Sequence, residues 1–258
     1  MSDGSKTFIV TGAGGGVGAA AVRQLAERGA NVVAVDIDES ALETTLRTVE
    51  GASGEVIARR ADVSSEEDVR AYVEDAVKLP GKLSGVFNVA GIEGDFQMTG
   101  GGSTENYERV MNINALSVFL NMKYVLPELE RGGGGAVVNV GSHLAWHGAA
   151  TLGPYCASKH AVAGLTKAAA LEYAESGIRC NIVCPSSIDT AMADRVSAAI
   201  NPDDPVAGRQ VLIDQSPNMR LATADEVAGV GVWLLLDAPT HITGILIPVD
   251  GGQSARAR

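Results

Sequence analysis

The chain has 258 residues, 46 % hydrophobic and 20 % charged, and its 31 acids against 20 Lys and Arg give a formal net charge of −11. A chain of that length buries roughly three-quarters of its unfolded surface, so it needs no disulfide or metal staple, and the composition is globular. The acidic balance excludes the clustered basic surface that nucleic acid or an anionic membrane requires, and the tail of Arg256 and Arg258 is too small to supply one.

Taken in chain order, short β-branched runs alternate with amphipathic stretches. Thr7–Val10 predicts a buried strand that runs into the glycine cluster Gly12–Gly18. Val17, Ala21 and Leu25 then recur at i, i+4 spacing, which predicts a helix ended by Arg28-Gly29. Asn31–Val35 is the next strand and stops at Asp36; Asp38 and Glu39 place acids in a first helical turn. Val56–Ala58 is strand-like, and Ser64–Asp68 caps a helix reaching Val77. Val86–Val89 predicts a strand ending at Ala90-Gly91, followed by a long helical region from about Thr104 to Glu130. The Gly132–Gly135 linker leads to a strand at Ala136–Val140, a helix at Tyr155–Ala174 and a strand at Ile178–Val183. Residues 186–218 are mixed and Pro-punctuated; Asp225–Leu236 is helical and Ile245–Val249 is the last strand. The alternation predicts an α/β fold, a doubly wound parallel sheet of about seven strands with helices on both faces. No composition break or repeat divides the chain, so residues 1–258 read as one domain.

Cys156, Cys180 and Cys184 are odd in number and form no Cys-x-x-Cys, as expected of reduced thiols in a cytoplasmic protein. No cluster has metal-ligand spacing. Met1–Lys6 carries no apolar run and no apolar stretch reaches ~18 residues, so neither a secretory leader nor a membrane span is expected.

The segment Thr11-Gly-Ala-Gly-Gly-Gly-Val-Gly18 lies between the first strand and the first helix. Glycine suits that position because the turn is tight, the backbone must approach a pyrophosphate, and the helix must pack on the strand. The helix N-terminus then offers unpaired N–H groups to the phosphates. No Lys-Ser/Thr follows, so this is not a P-loop. Asp36 lies 18 residues beyond Gly18 at the end of the second strand. A carboxylate there accepts hydrogen bonds from both ribose hydroxyls and repels a 2′-phosphate, and no nearby Arg or Lys offsets it, which predicts NAD over NADP. The plainer reading of Asp36 is a helix N-cap.

Tyr155 and Lys159 are four apart on one helical face, and Ser142 lies 13 residues before Tyr155 at a strand end. A free phenol has a pKa near 10 and is only ~0.1 % ionised at pH 7, whereas a neighbouring ammonium favours phenolate. Tyr155 can then serve as acid or base to an alcohol or carbonyl oxygen that Ser142 also holds. Alone, such a pair is usually a solvated helix face; here it follows a dinucleotide-type turn.

Together these motifs resemble the shorter, single-domain branch of the short-chain dehydrogenase/reductases, from Thr7 to Gly252. Gly12, Gly16 and Gly18 resemble that family's cofactor turn, Asp62-Val63 its adenine-contacting pair, and Asn88-Val-Ala-Gly91 its Asn-Asn-Ala-Gly strand end. Asn114 resembles its helix-kink Asn, and Ser142, Tyr155 and Lys159 its catalytic Ser and Tyr-x-x-x-Lys. The resemblance implies that Tyr155 exchanges the proton, Lys159 lowers the Tyr155 pKa and binds the nicotinamide ribose, Ser142 orients substrate, and Asn114 holds a water. It further implies that Gly12, Gly15, Gly16, Val17, Asp36, Asp62, Val63, Asn88, Tyr155, Lys159, Ile188 and Thr190 bind the cofactor. Two positions depart from the pattern: Val89 replaces an Asn, and Ser186 stands where Gly is frequent. Asn112 competes with Asn114, which the following Val118-Phe119 favours.

In that family the segment after Ser142 borders the substrate, which makes Leu144 and His147 candidate lining residues beside Ser142. Glu93-Gly-Asp95-Phe96 closes another side. Residues 186–218 correspond to a variable lid, with Met192, Val196 and Ile200 apolar. The implied activity is NAD-dependent interconversion of a secondary, notably cyclic, alcohol and its ketone. A 3-oxoacyl thioester reductase and a non-catalytic NAD-sensing protein are the alternatives. The implied partners are a small-molecule alcohol or ketone and further copies of the chain, as dimer or tetramer, through faces at Leu116–Leu126 and Ala161–Leu171.

Overall fold

The computed structural model describes residues 6–256; the opening residues 1–5 and Arg258 of the basic tail lie outside them. Seven strands form one parallel sheet: β1 (Lys6–Thr11), β2 (Asn31–Asp36), β3 (Val56–Arg60), β4 (Lys82–Asn88), β5 (Gly135–Val140), β6 (Ile178–Pro185) and β7 (Leu246–Val249). Their spatial order is β3-β2-β1-β4-β5-β6-β7. The direction of winding therefore reverses between β1 and β4, which opens a crevice at their carboxyl ends.

Alternation along the strands divides the core. Phe8, Val10, Val32, Phe87, Val138 and Val183 face one side. There they meet α1 (Gly16–Glu27), α2 (Glu39–Arg47) and α9 (Ala224–Leu236) through Val22, Leu25, Leu42, Val227 and Leu234. Ile9, Val33, Val86, Val137 and Ile182 face the other. They pack on α3 (Glu66–Lys78), α5 (Ser117–Arg131) and α6 (Gly153–Glu172) through Val69, Tyr72, Leu126, Leu129 and Val162. A side-chain period of two sends successive residues to opposite layers, which is why both faces of these strands are apolar.

Two segments carry detail beyond the apolar pattern. The long helix is broken: α4 (Thr104–Met111) joins α5 through a π-helical turn at Asn112–Leu116. Residues 186–218 are better ordered than their prolines suggest. They form α7 (Ala191–Ile200) and α8 (Pro205–Asp214), whose Ala193 and Leu212 share a small separate core with Leu221. Pro205 stands in the first turn of α8, where its missing N–H breaks no helical bond.

Candidate active site

The glycine turn is built for close approach. Gly12 adopts φ +67°, and a Cβ there would meet the Ala90 amide at 2.9 Å. A Cβ on Gly18 would lie 2.0 Å from the Gly12 carbonyl oxygen, so only glycine lets α1 sit this near β1. Gly15 caps α1 without a side-chain bond and has open space around its Cα, so the first N–H groups of α1 face an open cradle. Asp36 turns back onto this cradle and accepts hydrogen bonds from the amides of Gly14 (2.9 Å) and Asp38 (3.0 Å). Asp38, not Asp36, caps α2 by accepting from the Ala41 amide.

A cavity of about 710 Å³ extends along the carboxyl ends of the strands. Gly12, Gly15, Gly16, Val17, Asp36, Asp62 and Val63 line one part; Ser142, Leu144, Tyr155, Lys159, Ile188 and Thr190 line the rest. Ile92, Phe96, Leu152, Met192 and Val196 give the latter region apolar walls. The cradle, the carboxylate at the end of β2 and the long crevice fit a dinucleotide.

Ser142 lies two residues beyond β5 and is buried; its Oγ accepts from the Leu144 amide (3.1 Å) and hydrogen-bonds with Tyr155. Lys159, one turn below Tyr155 on α6, is only 4 % exposed. Its Nζ donates to the Val140 carbonyl (2.9 Å) and lies 5.5 Å from the centroid of the Tyr155 ring. Burial pushes the Tyr155 phenol up to about 12, the Ser142 bond opposing and the Glu93 charge adding to the rise. Burial also brings Lys159 down to about 8. Desolvation is the largest influence on both groups and disfavours the charged form of each.

Asn114 lies in the π-helical turn, 1 % exposed, whereas Asn112 faces out. The Asn114 Oδ1 accepts from the Ile92 amide (2.8 Å), and its Nδ2 donates to the Ile92 carbonyl (2.8 Å) and Ser158 Oγ (3.0 Å). Ser158 Oγ in turn donates to the Tyr155 carbonyl (2.7 Å). Asn114 therefore ties the segment after β4 to the first turns of α6, without reaching the cavity wall itself.

Two candidates are placed differently. Asn88 is buried behind the cavity, donating from Nδ2 to Asn139 Oδ1 (2.8 Å), and Asn139 continues to Thr166. That chain crosses from β4 to α6 and turns the Asn88 side chain into the sheet; Val89, Ala90 and Gly91 line the cavity instead. His147 also misses the wall. A short 3-10 turn at His143–Ala145 carries Leu144 inward and leaves His147 beside the Trp146 ring, centroids 5.9 Å apart. Ser186 adopts none of the positive φ values for which a glycine would be needed, so that departure is accommodated. Sequence reasoning missed Arg195, an α7 residue on the cavity wall whose ion pair to Glu93 spans 102 positions and leaves no local pattern.

Residues 12–254 match the family described as Enoyl-(Acyl carrier protein) reductase. The chain is 35 % identical over 252 residues to a levodione reductase of Leifsonia aquatica, covering 97 % of this chain and 94 % of that one. A crystal structure of levodione reductase superposes with a TM-score of 0.93 over 98 % of both chains. A 2,5-dichloro-2,5-cyclohexadiene-1,4-diol dehydrogenase of Sphingobium indicum is 38 % identical over 258 residues, covering 99 % of this chain and all (100 %) of its own. A carveol dehydrogenase from Mycobacterium avium, solved in complex with NAD, is 25 % identical with a TM-score of 0.90, covering 97 % of this chain and 98 % of that one.

Proposed function

The chain belongs to the short-chain dehydrogenase/reductase family, and from that premise we propose that it is an NAD-dependent oxidoreductase interconverting a cyclic secondary alcohol and its ketone. The observation that carries the reading is the convergence of Ser142, Tyr155 and Lys159 on one wall of a cavity whose other end is the glycine cradle and Asp36. The relatives named for cyclic diol and dione-type chemistry, and the NAD in the carveol dehydrogenase, support the substrate class and the cofactor.

NAD, when bound, supplies the hydride acceptor. Gly12, Gly15, Gly16 and Val17 hold its diphosphate at the α1 N-terminus, and Asp36 accepts from the adenosine ribose hydroxyls while repelling a 2′-phosphate. Asp62 and Val63 flank the adenine, and Ile188 and Thr190 the nicotinamide end. Ser142 Oγ orients the substrate oxygen toward Tyr155 Oη, which removes the hydroxyl proton during oxidation and returns it during reduction. Lys159 Nζ holds the nicotinamide ribose and donates positive charge as the phenolate forms, and Asn114 fixes the distance between α6 and the segment after β4. Leu144, with Ile92 and Phe96, shapes the apolar side of the substrate site. Exclusion of water by these walls strengthens each polar contact within.

The protein further assembles as a homo-oligomer, because Tyr107, Leu116, Phe119 and Leu171 expose apolar side chains along α4–α6. A monomer in light scattering contradicts this. Its three free thiols suit a reducing cytoplasm. No helix among the described residues is long and apolar enough to cross a membrane. The test of function is NADH formation from NAD across cyclic, aromatic and hydroxyacyl secondary alcohols, with NADP in parallel. Turnover of ring alcohols with NAD is expected; preference for hydroxyacyl thioesters with NADP contradicts the proposal.

A further inference from the structure

Two charged side chains stand where the cavity is otherwise apolar. Asp36 and Asp62 serve the adenosine end, Lys159 belongs to the Tyr155 pair, and burial lowers the pKa of the His143 imidazole; the remaining charged acid and base on the wall are Glu93 and Arg195. Glu93 follows β4, is 8 % exposed, and its charge acts on Tyr155. Arg195 comes from α7, in the segment covering the cavity. Its Nε donates to Glu93 Oε1 and its Nη2 to Oε2 (3.1 Å), a two-pronged pair that leaves the Nη1 hydrogens without a protein acceptor among the described residues. Ile92, Phe96, Met192 and Val196 line the same cavity.

The Arg195 side chain is half exposed whereas Glu93 is buried, and an ion pair reached by solvent adds little stability, because screening and side-chain ordering offset the attraction. It supplies recognition instead. The carboxylate keeps lone pairs that can accept from a hydroxyl, and Nη1 can donate to a carbonyl or hydroxyl oxygen. Resting on the function proposed above, we infer that Glu93 and Arg195 read a second oxygen on the substrate: this enzyme selects ring alcohols and ketones bearing a further hydroxyl or carbonyl, one oxygen at Tyr155 and the other at the ion pair. A monofunctional ring alcohol turns a hydrocarbon edge to the buried Glu93 carboxylate and offers it no hydrogen bond. A hydrogen bond to a charged group is worth roughly a factor of ten to a hundred in affinity.

The test compares cyclohexanol with cyclohexane-1,2-, 1,3- and 1,4-diol, each with NAD. In the wild type at least one diol should exceed cyclohexanol tenfold or more in kcat/KM, chiefly through a lower KM. The double variant Glu93→Leu/Arg195→Met removes both charges without orphaning either, and its melting temperature reports whether it is folded. It should bring the diol-to-cyclohexanol ratio near one; Glu93→Gln, which keeps an acceptor but weakens the ion pair, should fall between. A merely structural pair lowers all substrates alike and leaves the ratio unchanged, and that result overturns the inference, as does a wild-type ratio near one for every diol. Calorimetric binding of the same four compounds to protein saturated with NADH separates this inference from the underlying reading. Tighter diol binding without turnover would leave the recognition standing and remove the chemistry; equal binding of all four would remove the recognition.

Discussion

Lys159 is held in the folded protein at the expense of stability, and Lys159→Met should reveal it. The ammonium is 4 % exposed with one protein acceptor, the Val140 carbonyl, and burial brings its pKa from 10.5 to about 8. Between those values the unfolded chain binds a proton that the native protein does not, so stability rises with pH across the window. Below about pH 8 Lys159 carries its proton in both states, and the folded state bears the full penalty, about 3 kcal/mol at ~1.4 kcal/mol per pKa unit. Methionine fills a similar volume without charge and forfeits the hydrogen bond to Val140, worth about 1 kcal/mol. The variant should therefore be about 2 kcal/mol more stable than the wild type at pH 7 and about 1 kcal/mol less stable at pH 10.5. Urea unfolding of both proteins at pH 7, 8, 9 and 10.5 reads the difference directly, and subtraction removes the titrations they share. Parallel stability curves, with no crossing, would refute the claim that burial of this lysine is an electrostatic expense retained for function.

Other substitutions probe separate parts. Asp36→Ala should cut the NAD-to-NADP ratio of kcat/KM at least tenfold by removing the carboxylate that repels a 2′-phosphate, read from steady-state kinetics with both cofactors. Asn114→Ala orphans the Ile92 amide and carbonyl and takes a donor from Ser158 Oγ, so it should destabilise by about 3 kcal/mol and lower kcat; a stable, fully active variant would remove its positioning role. Gly231→Ala places a Cβ 2.1 Å from the Phe87 ring in the layer away from the cavity. Despite alanine's better helix propensity it should destabilise by about 2 kcal/mol in urea, with the turnover of folded enzyme unchanged.

The sheet was legible because its strands are short β-branched runs punctuated by glycine, and the alternation of Phe8, Ile9 and Val10 between layers follows from the pleat. The cradle and the Ser142–Tyr155–Lys159 wall were legible because local spacing sets them: a glycine turn between strand and helix, and two side chains four apart. The π-helical geometry was not legible in the apolar pattern of Thr104–Glu130, although the resemblance of Asn114 to a helix-kink Asn marked its place. The surroundings of Asn88 and His147 were not legible for a related reason. Asn88 finds its partners 51 and more positions away, and the direction of His147 depends on a three-residue turn that sequence periodicity does not register. The Glu93–Arg195 pair joins distant elements, so nothing local announces Arg195.

The central claim is that Tyr155 moves the proton in an NAD-dependent oxidation of a ring alcohol. The most direct measurement sets wild type and Tyr155→Phe side by side, following NADH formation from NAD and a cyclohexanediol together with NAD affinity by calorimetry. The phenylalanine variant should bind NAD within about threefold of the wild type while turnover falls by roughly 10²-fold or more. Turnover within a few-fold of the wild type, or loss of NAD binding alone, would contradict it.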